Sequence, residues 1–134
     1  MKKEIMIFPS ASAIAGFLGR SLAAKTRDLA PGRYFYVALS GGKTPEAVLT
    51  TLAGHSGINR DRVRIFWGDE RCVRPSSQQS NYRSARLSLL GPCGIPRGNI
   101  FRLRGEAPPY AEAARYSRLV RSLIPSAGTP RVSV

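Results

Sequence analysis

Two polar clusters in the chain each follow directly on an apolar run. Ser40-Gly41-Gly42-Lys43-Thr44-Pro45 comes after residues 34–39, and Gly68-Asp69-Glu70-Arg71 comes after residues 63–67. Gly41 and Gly42 lack Cβ atoms, so the backbone there can turn sharply and lie close to a ligand. Ser40 and Thr44 add hydroxyls and Lys43 adds a point charge. Free N–H groups at the start of a helix after this turn, with the positive end of its dipole, favour an anion. In the second cluster, side chains alternate in direction as a strand ends, so Asp69 and Arg71 face one crevice while Glu70 points away. Arg71 can hold a phosphate or carboxylate through a bidentate fork. Asp69 can orient a sugar hydroxyl or act as a base.

The Gly-Lys-Thr triplet superficially matches the tail of a nucleotide P-loop. That pattern needs a further glycine five residues before the triplet's own, where this chain has Val37, and Pro45 breaks the usual helix entry. A nucleoside triphosphate site is therefore disfavoured. The plain alternatives are a glycine turn joining strand to helix and a local Asp-Arg ion pair tying down a loop. His55 is the only histidine of the chain and lies in a loop with no nucleophile or carboxylate nearby in sequence, which reads as an exposed residue. Cys72 and Cys93 have neither disulfide-framework nor metal-ligand spacing and read as free thiols. No metal site is expected.

The surrounding pattern supplies the elements that must place these clusters. Residues 4–8 read as a first strand, and Ser10 or Ser12 as the cap of a helix whose Ile14, Phe17, Leu18 and Leu22 form one buried stripe. Residues 34–39 form a continuous apolar run, as in a parallel strand covered on both faces. Thr44 is expected to cap the next helix, with Pro45 its first residue and an end near Leu52. Residues 53–62 read as a loop and 63–67 as a second strand. Ser80 or Asn81 opens a helix with Tyr82, Ala85 and Leu89 on one side, and the Gly- and Pro-rich stretch 91–98 breaks it. Residues 99–103 read as a short strand. Pro108 or Pro109 starts a last helix with Tyr116, Leu119, Val120 and Leu123 on one face. Residues 131–134 look like the opening of one more strand.

Alternating strands and helices give an α/β class: a three-layer αβα, doubly wound, mostly parallel sheet of Rossmann-like type. In such a sheet ligands bind beyond the carboxyl ends of the strands, where both clusters lie. The 134 residues make one domain, 1–134, and the unfinished last strand marks that domain as incomplete. Apolar residues are 43% of the chain, as in globular proteins. The longest apolar runs fall far below the roughly 20 residues a membrane-spanning helix needs. With no signal-peptide pattern at the N-terminus, a cytoplasmic location is the simplest expectation. A net charge of +13, from 21 basic against 8 acidic residues, points to an anionic partner. That partner is either a nucleic acid or a phosphorylated small molecule, and because the arginines are scattered rather than blocked a solvated surface is favoured over a nucleic-acid footprint.

The segments "ALSGGKTPEAVLTTLA", "VRIFWGDERCVRPSSQQSNYRSARLSLL", "IPRGNIFRLRGE" and "EAARYSRLV" together resemble the N-terminal part of the 6-phosphogluconolactonase family, and more distantly the glucosamine-6-phosphate deaminases. "DER" followed by "SNY" favours the lactonase branch. The resemblance implies hydrolysis of 6-phosphogluconolactone to 6-phosphogluconate in the oxidative pentose phosphate pathway, with no metal or organic cofactor and a small phosphosugar lactone as partner. By position it implies that Ser40, Gly41, Gly42 and Thr44 line the phosphosugar site, with Lys43 at a variable position. Arg71 matches the arginine that contacts the substrate phosphate, and Asp69 an acidic position that serves as base in the deaminases. The family's general-base histidine sits in a "GDGH"-like motif after the next strand, past Val134, and His55 does not match it. A truncated lactonase with little or no activity is therefore expected. The alternatives are a non-catalytic, basic phosphate- or nucleic-acid-binding remnant of the fold and, less favoured, a sugar-phosphate deaminase or isomerase. Oligomeric state is not legible.

Overall fold

In the computed structural model, which describes residues 3–124, Ser10 opens the first helix, α1 (Ala11–Arg27). Its Oγ accepts the Ala13 N–H at 3.1 Å, and Lys25 and Arg27 close the helix where cations suit the dipole. The buried face of α1 is not the stripe of large residues. Ala15, Gly19, Ala23 and Thr26 are buried, whereas Ile14, Phe17 and Leu22 are half-buried and Leu18 is exposed. Small residues let α1 lie close on the helix that follows β1, and the larger ones overhang an open groove. The strand expected at residues 4–8 does not form; Ile5 and Ile7 are 87% and 91% exposed. A strand needs a neighbour to satisfy its backbone, and among the described residues nothing pairs with this segment.

β1 (Phe35–Leu39) and β2 (Val63–Trp67) form a parallel pair in register from Phe35↔Val63 to Leu39↔Trp67. The strand expected at 99–103 reduces to one parallel bridge, Ile65↔Ile100, with the Phe101 N–H on the Ile65 carbonyl at 2.8 Å. One sheet face, carrying Leu39, Val63, Ile65 and Trp67, packs on Val48, Leu49, Leu52, Leu89 and Leu90 of the helices. The other carries an aromatic row, Tyr36–Phe66 and Phe66–Phe101 with centroids 6.2 and 5.0 Å apart. Among the described residues β1 is not covered on both faces as its apolar run predicts: Phe35, Tyr36 and Val37 are half-buried and Ala38 is exposed. It has a strand neighbour on one side only among the described residues. Beside it runs an open apolar groove of about 510 Å³, lined by Phe17, Leu18, Leu22, Phe35, Val37 and Val48 among others.

α2 (Lys43–Ala53) is capped by Gly42, not Thr44, and Pro45 is its third residue rather than its first. Gly42 turns the chain at φ 122°, a conformation that side chains resist, so the helix starts as soon as the turn is complete. Pro45 is tolerated because first-turn N–H groups have no intrahelical partner. After β2, Ser80 caps α3 (Asn81–Ala85) through its Oγ on the Arg83 N–H. The helix continues through a wide π turn, Arg86–Leu90, into α4 (Gly91–Cys93). The break expected at 91–98 thus falls at Gly94, in the left-handed region at φ 72°. α5 (Pro109–Leu123) begins after Pro108, with Tyr116, Leu119, Val120 and Leu123 half-buried. No helix among the described residues is long and apolar enough to cross a membrane, and none of their side chains cluster as metal ligands. Cys72 and Cys93 are free, the first exposed and the second buried. The strand expected at 131–134 lies outside the described residues.

Candidate functional site

The parallel register sets the site. Leu39 and Trp67 are paired at the carboxyl ends of β1 and β2, and the Gly68 N–H donates to the Leu39 carbonyl at 2.9 Å. The loop 40–44 and the segment 68–71 therefore leave the sheet side by side. Ser40, Gly42, Lys43 and Thr44 are exposed and Gly41 is half-buried. The N–H groups of Lys43 and Thr44 lie in the first turn of α2, where no carbonyl of the helix can accept them. Asp69 and Arg71 are both exposed.

Glu70 does turn from the crevice, but to a purpose its alternation did not reveal. Its carboxylate accepts four hydrogen bonds: from the Arg71 N–H at 2.8 Å, the Asn81 N–H at 2.7 Å, the Tyr82 N–H at 2.9 Å and the Ser80 hydroxyl at 3.0 Å. It fills the start of α3 and cinches the ends of the 71–80 loop together. Asn81 is the second residue the sequence did not single out. Its Nδ2 donates to the Asp69 Oδ2 at 3.1 Å and to the Asp69 carbonyl at 3.2 Å. Its Oδ1 occupies the space where a Cβ on Gly41 would be. Gly105 is a third: a Cβ there would collide with the Arg71 carbonyl and with Val73, so this turn presses directly on the backbone that carries Arg71.

Behind that turn lies a braced wall. Arg102 grips Glu106 through two bonds of 2.6 and 2.9 Å and lies over the Tyr82 ring at 5.4 Å. The Arg102 hydrogen bond holds the Glu106 carboxyl down to about 2. Glu112, the one buried residue of α5 at 6% exposure, accepts Arg115 Nε and Nη2 at 2.7 and 2.6 Å and the Arg104 N–H at 2.8 Å. Its Arg115 partner lowers the Glu112 pKa. The Tyr116 hydroxyl accepts the Trp67 N–H at 2.8 Å and has the Trp67 and Phe101 carbonyls at 3.2 and 3.1 Å for its single proton. Burial raises the Tyr116 pKa.

His55 is not the exposed loop residue that its sequence context predicts. Its ring is half-buried in the space opened by Gly19 of α1, and its Nδ1 is buried without a partner among the described residues. It follows the far end of the 11-residue α2, roughly 16 Å from the Gly42 turn at 1.5 Å per residue. The arrangement at the near end offers helix N–H donors, two hydroxyls and two cations for an anion, and one oriented carboxylate for a hydroxyl.

A sequence profile of the family described as "Glucosamine-6-phosphate isomerases/6-phosphogluconolactonase" matches residues 9–134. The chain is 39% identical over 129 residues to a 6-phosphogluconolactonase of Treponema pallidum, a match covering 93% of this chain and 51% of that one. Among solved structures it is similar to that of the devB protein, with TM-score 0.83 and 35% identity over 94% of this chain and 53% of that one. It is also similar to 6-phosphogluconolactonase from Thermotoga maritima, with TM-score 0.76 and 27% identity over 89% and 53% of the two chains. The chain thus spans about half the length of the relatives it matches.

Proposed function

The chain belongs to the glucosamine-6-phosphate isomerase/6-phosphogluconolactonase family, and from that premise we propose that the protein it represents is a 6-phosphogluconolactonase. Water adds to the carbonyl carbon of 6-phospho-D-glucono-1,5-lactone, the bond from that carbon to the ring oxygen breaks, and the ring oxygen takes up a proton as 6-phosphogluconate forms. The reaction changes no oxidation state, and the reading assigns it no metal or organic cofactor. The observation that supports it is the side-by-side exit of the 40–44 loop and the 68–71 segment from the sheet, set by the Leu39↔Trp67 register, with Asn81 between Asp69 and Gly41. Ser40, Gly41, Gly42, Lys43, Thr44 and Arg71 hold the phosphosugar, and Asp69 orients one of its hydroxyls.

A positioned base for the attacking water contributes about 10²- to 10⁴-fold. His55 is too distant to supply it. In this reading the domain 1–134 is the N-terminal, binding portion of the enzyme, and the base belongs to the part of the relatives' length that this chain does not span. The whole enzyme is placed in the cytoplasm and in the oxidative pentose phosphate pathway, where 6-phosphogluconolactone arises. Two measurements test this. The purified chain should bind 6-phosphogluconate in a calorimetric titration yet hydrolyse freshly made lactone barely above the spontaneous rate. Turnover equal to that of full-length relatives would refute the division of labour, and absence of binding at millimolar 6-phosphogluconate would refute the site.

A further inference from the structure

We infer that Asn81 is a positioning residue of this site: its one side-chain amide couples the carboxylate of Asp69 to the Gly41 turn, and Glu70 holds it there. The inference rests on the reading above that both segments touch the phosphosugar. Asn81 is only 7% exposed, although it is the first residue of α3 and stands at the edge of the crevice. Both Nδ2 contacts go to Asp69, one to the carboxylate and one to the backbone carbonyl, so side chain and main chain are fixed together. The other end of the amide, Oδ1, sits against Gly41 in the space a Cβ would need. Gly41 is therefore a glycine for a reason separate from the turn at Gly42: the turn needs the positive φ of Gly42, whereas Gly41 admits Asn81.

Glu70 supplies the fixed point. Its carboxylate takes the main-chain N–H groups of Asn81 and Tyr82 and, at the other end of the loop, that of Arg71. One acidic side chain thus sets the main-chain positions of both the phosphate-binding arginine and the amide that orients Asp69. It also fills the donors at the start of α3 with an internal negative charge, which leaves the α2 turn and Arg71 as the places for a ligand's phosphate. Two bonds from one asparagine amide fix a direction that water would not, so Asp69 would swing free of the sugar in its absence.

The test is a double-mutant cycle on the full chain with Asn81→Ala, Gly41→Ala and both, read as the dissociation constants of 6-phosphogluconate and inorganic phosphate. Asn81→Ala should weaken 6-phosphogluconate about tenfold but inorganic phosphate by less than about twofold, because it frees the hydroxyl-orienting carboxylate and leaves the phosphate donors in place. Once Gly41→Ala has displaced the amide, Asn81→Ala should cost no more than about a further twofold. Equal losses for both ligands would mean a merely structural role, and additive losses would mean that Asn81 does not couple the two segments; either overturns the inference. Nuclear Overhauser contacts in the unmutated chain, from the Asn81 side-chain amide to the Gly41 Hα, must also be seen, and their absence overturns it whatever the variants do. Should the unmutated chain fail to bind 6-phosphogluconate, the functional reading falls, while those contacts and the same cycle read in thermal stability still decide the coupling.

Discussion

Tyr116 and the two buttressing carboxylates show how much of the site's rigidity rests on single side chains. Tyr116→Phe would leave the Trp67 N–H without its acceptor and remove the one proton that the Trp67 and Phe101 carbonyls share, and a buried orphan of this kind costs about 1–3 kcal/mol. Urea denaturation should show that loss with native secondary structure unchanged; a change below about 0.5 kcal/mol would mean that water replaces the hydroxyl. Glu106 and Glu112 both titrate below the usual carboxylate range when folded, because Arg102 and Arg115 favour their charged forms. Their contribution is therefore complete above the unfolded carboxylate pKa and drains as pH falls through the folded values, toward about 2 for Glu106. Stability measured against pH should fall on the acid side, and Glu112→Gln should flatten that fall; an unchanged profile would count against the Arg115 pair. Tyr116 has the opposite sign: its folded pKa is raised by burial, so its contribution is complete below the unfolded tyrosine pKa and is lost as pH climbs past it. At this scale the position of Asp69 and Arg71 beyond the carboxyl end of β2 was legible, since polar residues that follow an apolar run mark a strand's end. Glu70, Asn81 and Gly105 were not, because their partners lie across the fold and no local spacing marks them.

Elements differ in how firmly the neighbouring sequence dictates them. β2 has five of its residues at the expected place, since Val63, Ile65, Phe66 and Trp67 are apolar and all buried. α1 was expected to bury its large residues and buries its small ones instead, because close approach to α2 and to the His55 ring rewards a smooth surface over a bulky one. The 71–80 loop has no regular structure of its own and depends on Glu70 at one end and the Ser80 cap at the other. Glu70→Ala should therefore free it: amide exchange across 71–80 should accelerate and trypsin should cut after Arg71 while α1 and α2 stay protected. Uniform acceleration along the whole chain would show that Glu70 supports the fold at large and not this loop in particular.

For the molecule as a whole, the uncovered side is as informative as the packed one. The groove beside β1 presents Phe17, Leu18, Leu22 and Phe35 around an apolar space of about 510 Å³. The chain should bind an apolar fluorophore such as anilinonaphthalene sulfonate there, and Leu18→Glu with Phe17→Glu should abolish the enhancement while circular dichroism stays native; persistence in that variant would move the apolar surface elsewhere. The sequence by itself determined the α/β alternation, the apolar strands and the two polar clusters at their ends, because periodicity and turn chemistry act between neighbours a few residues apart. Only the tertiary structure decided which face of α1 is buried, that residues 4–8 pair with nothing described, and that Glu70 and Asn81 govern Asp69 and Arg71. Those outcomes depend on packing distances and hydrogen bonds between segments far apart in the chain, which no local pattern carries.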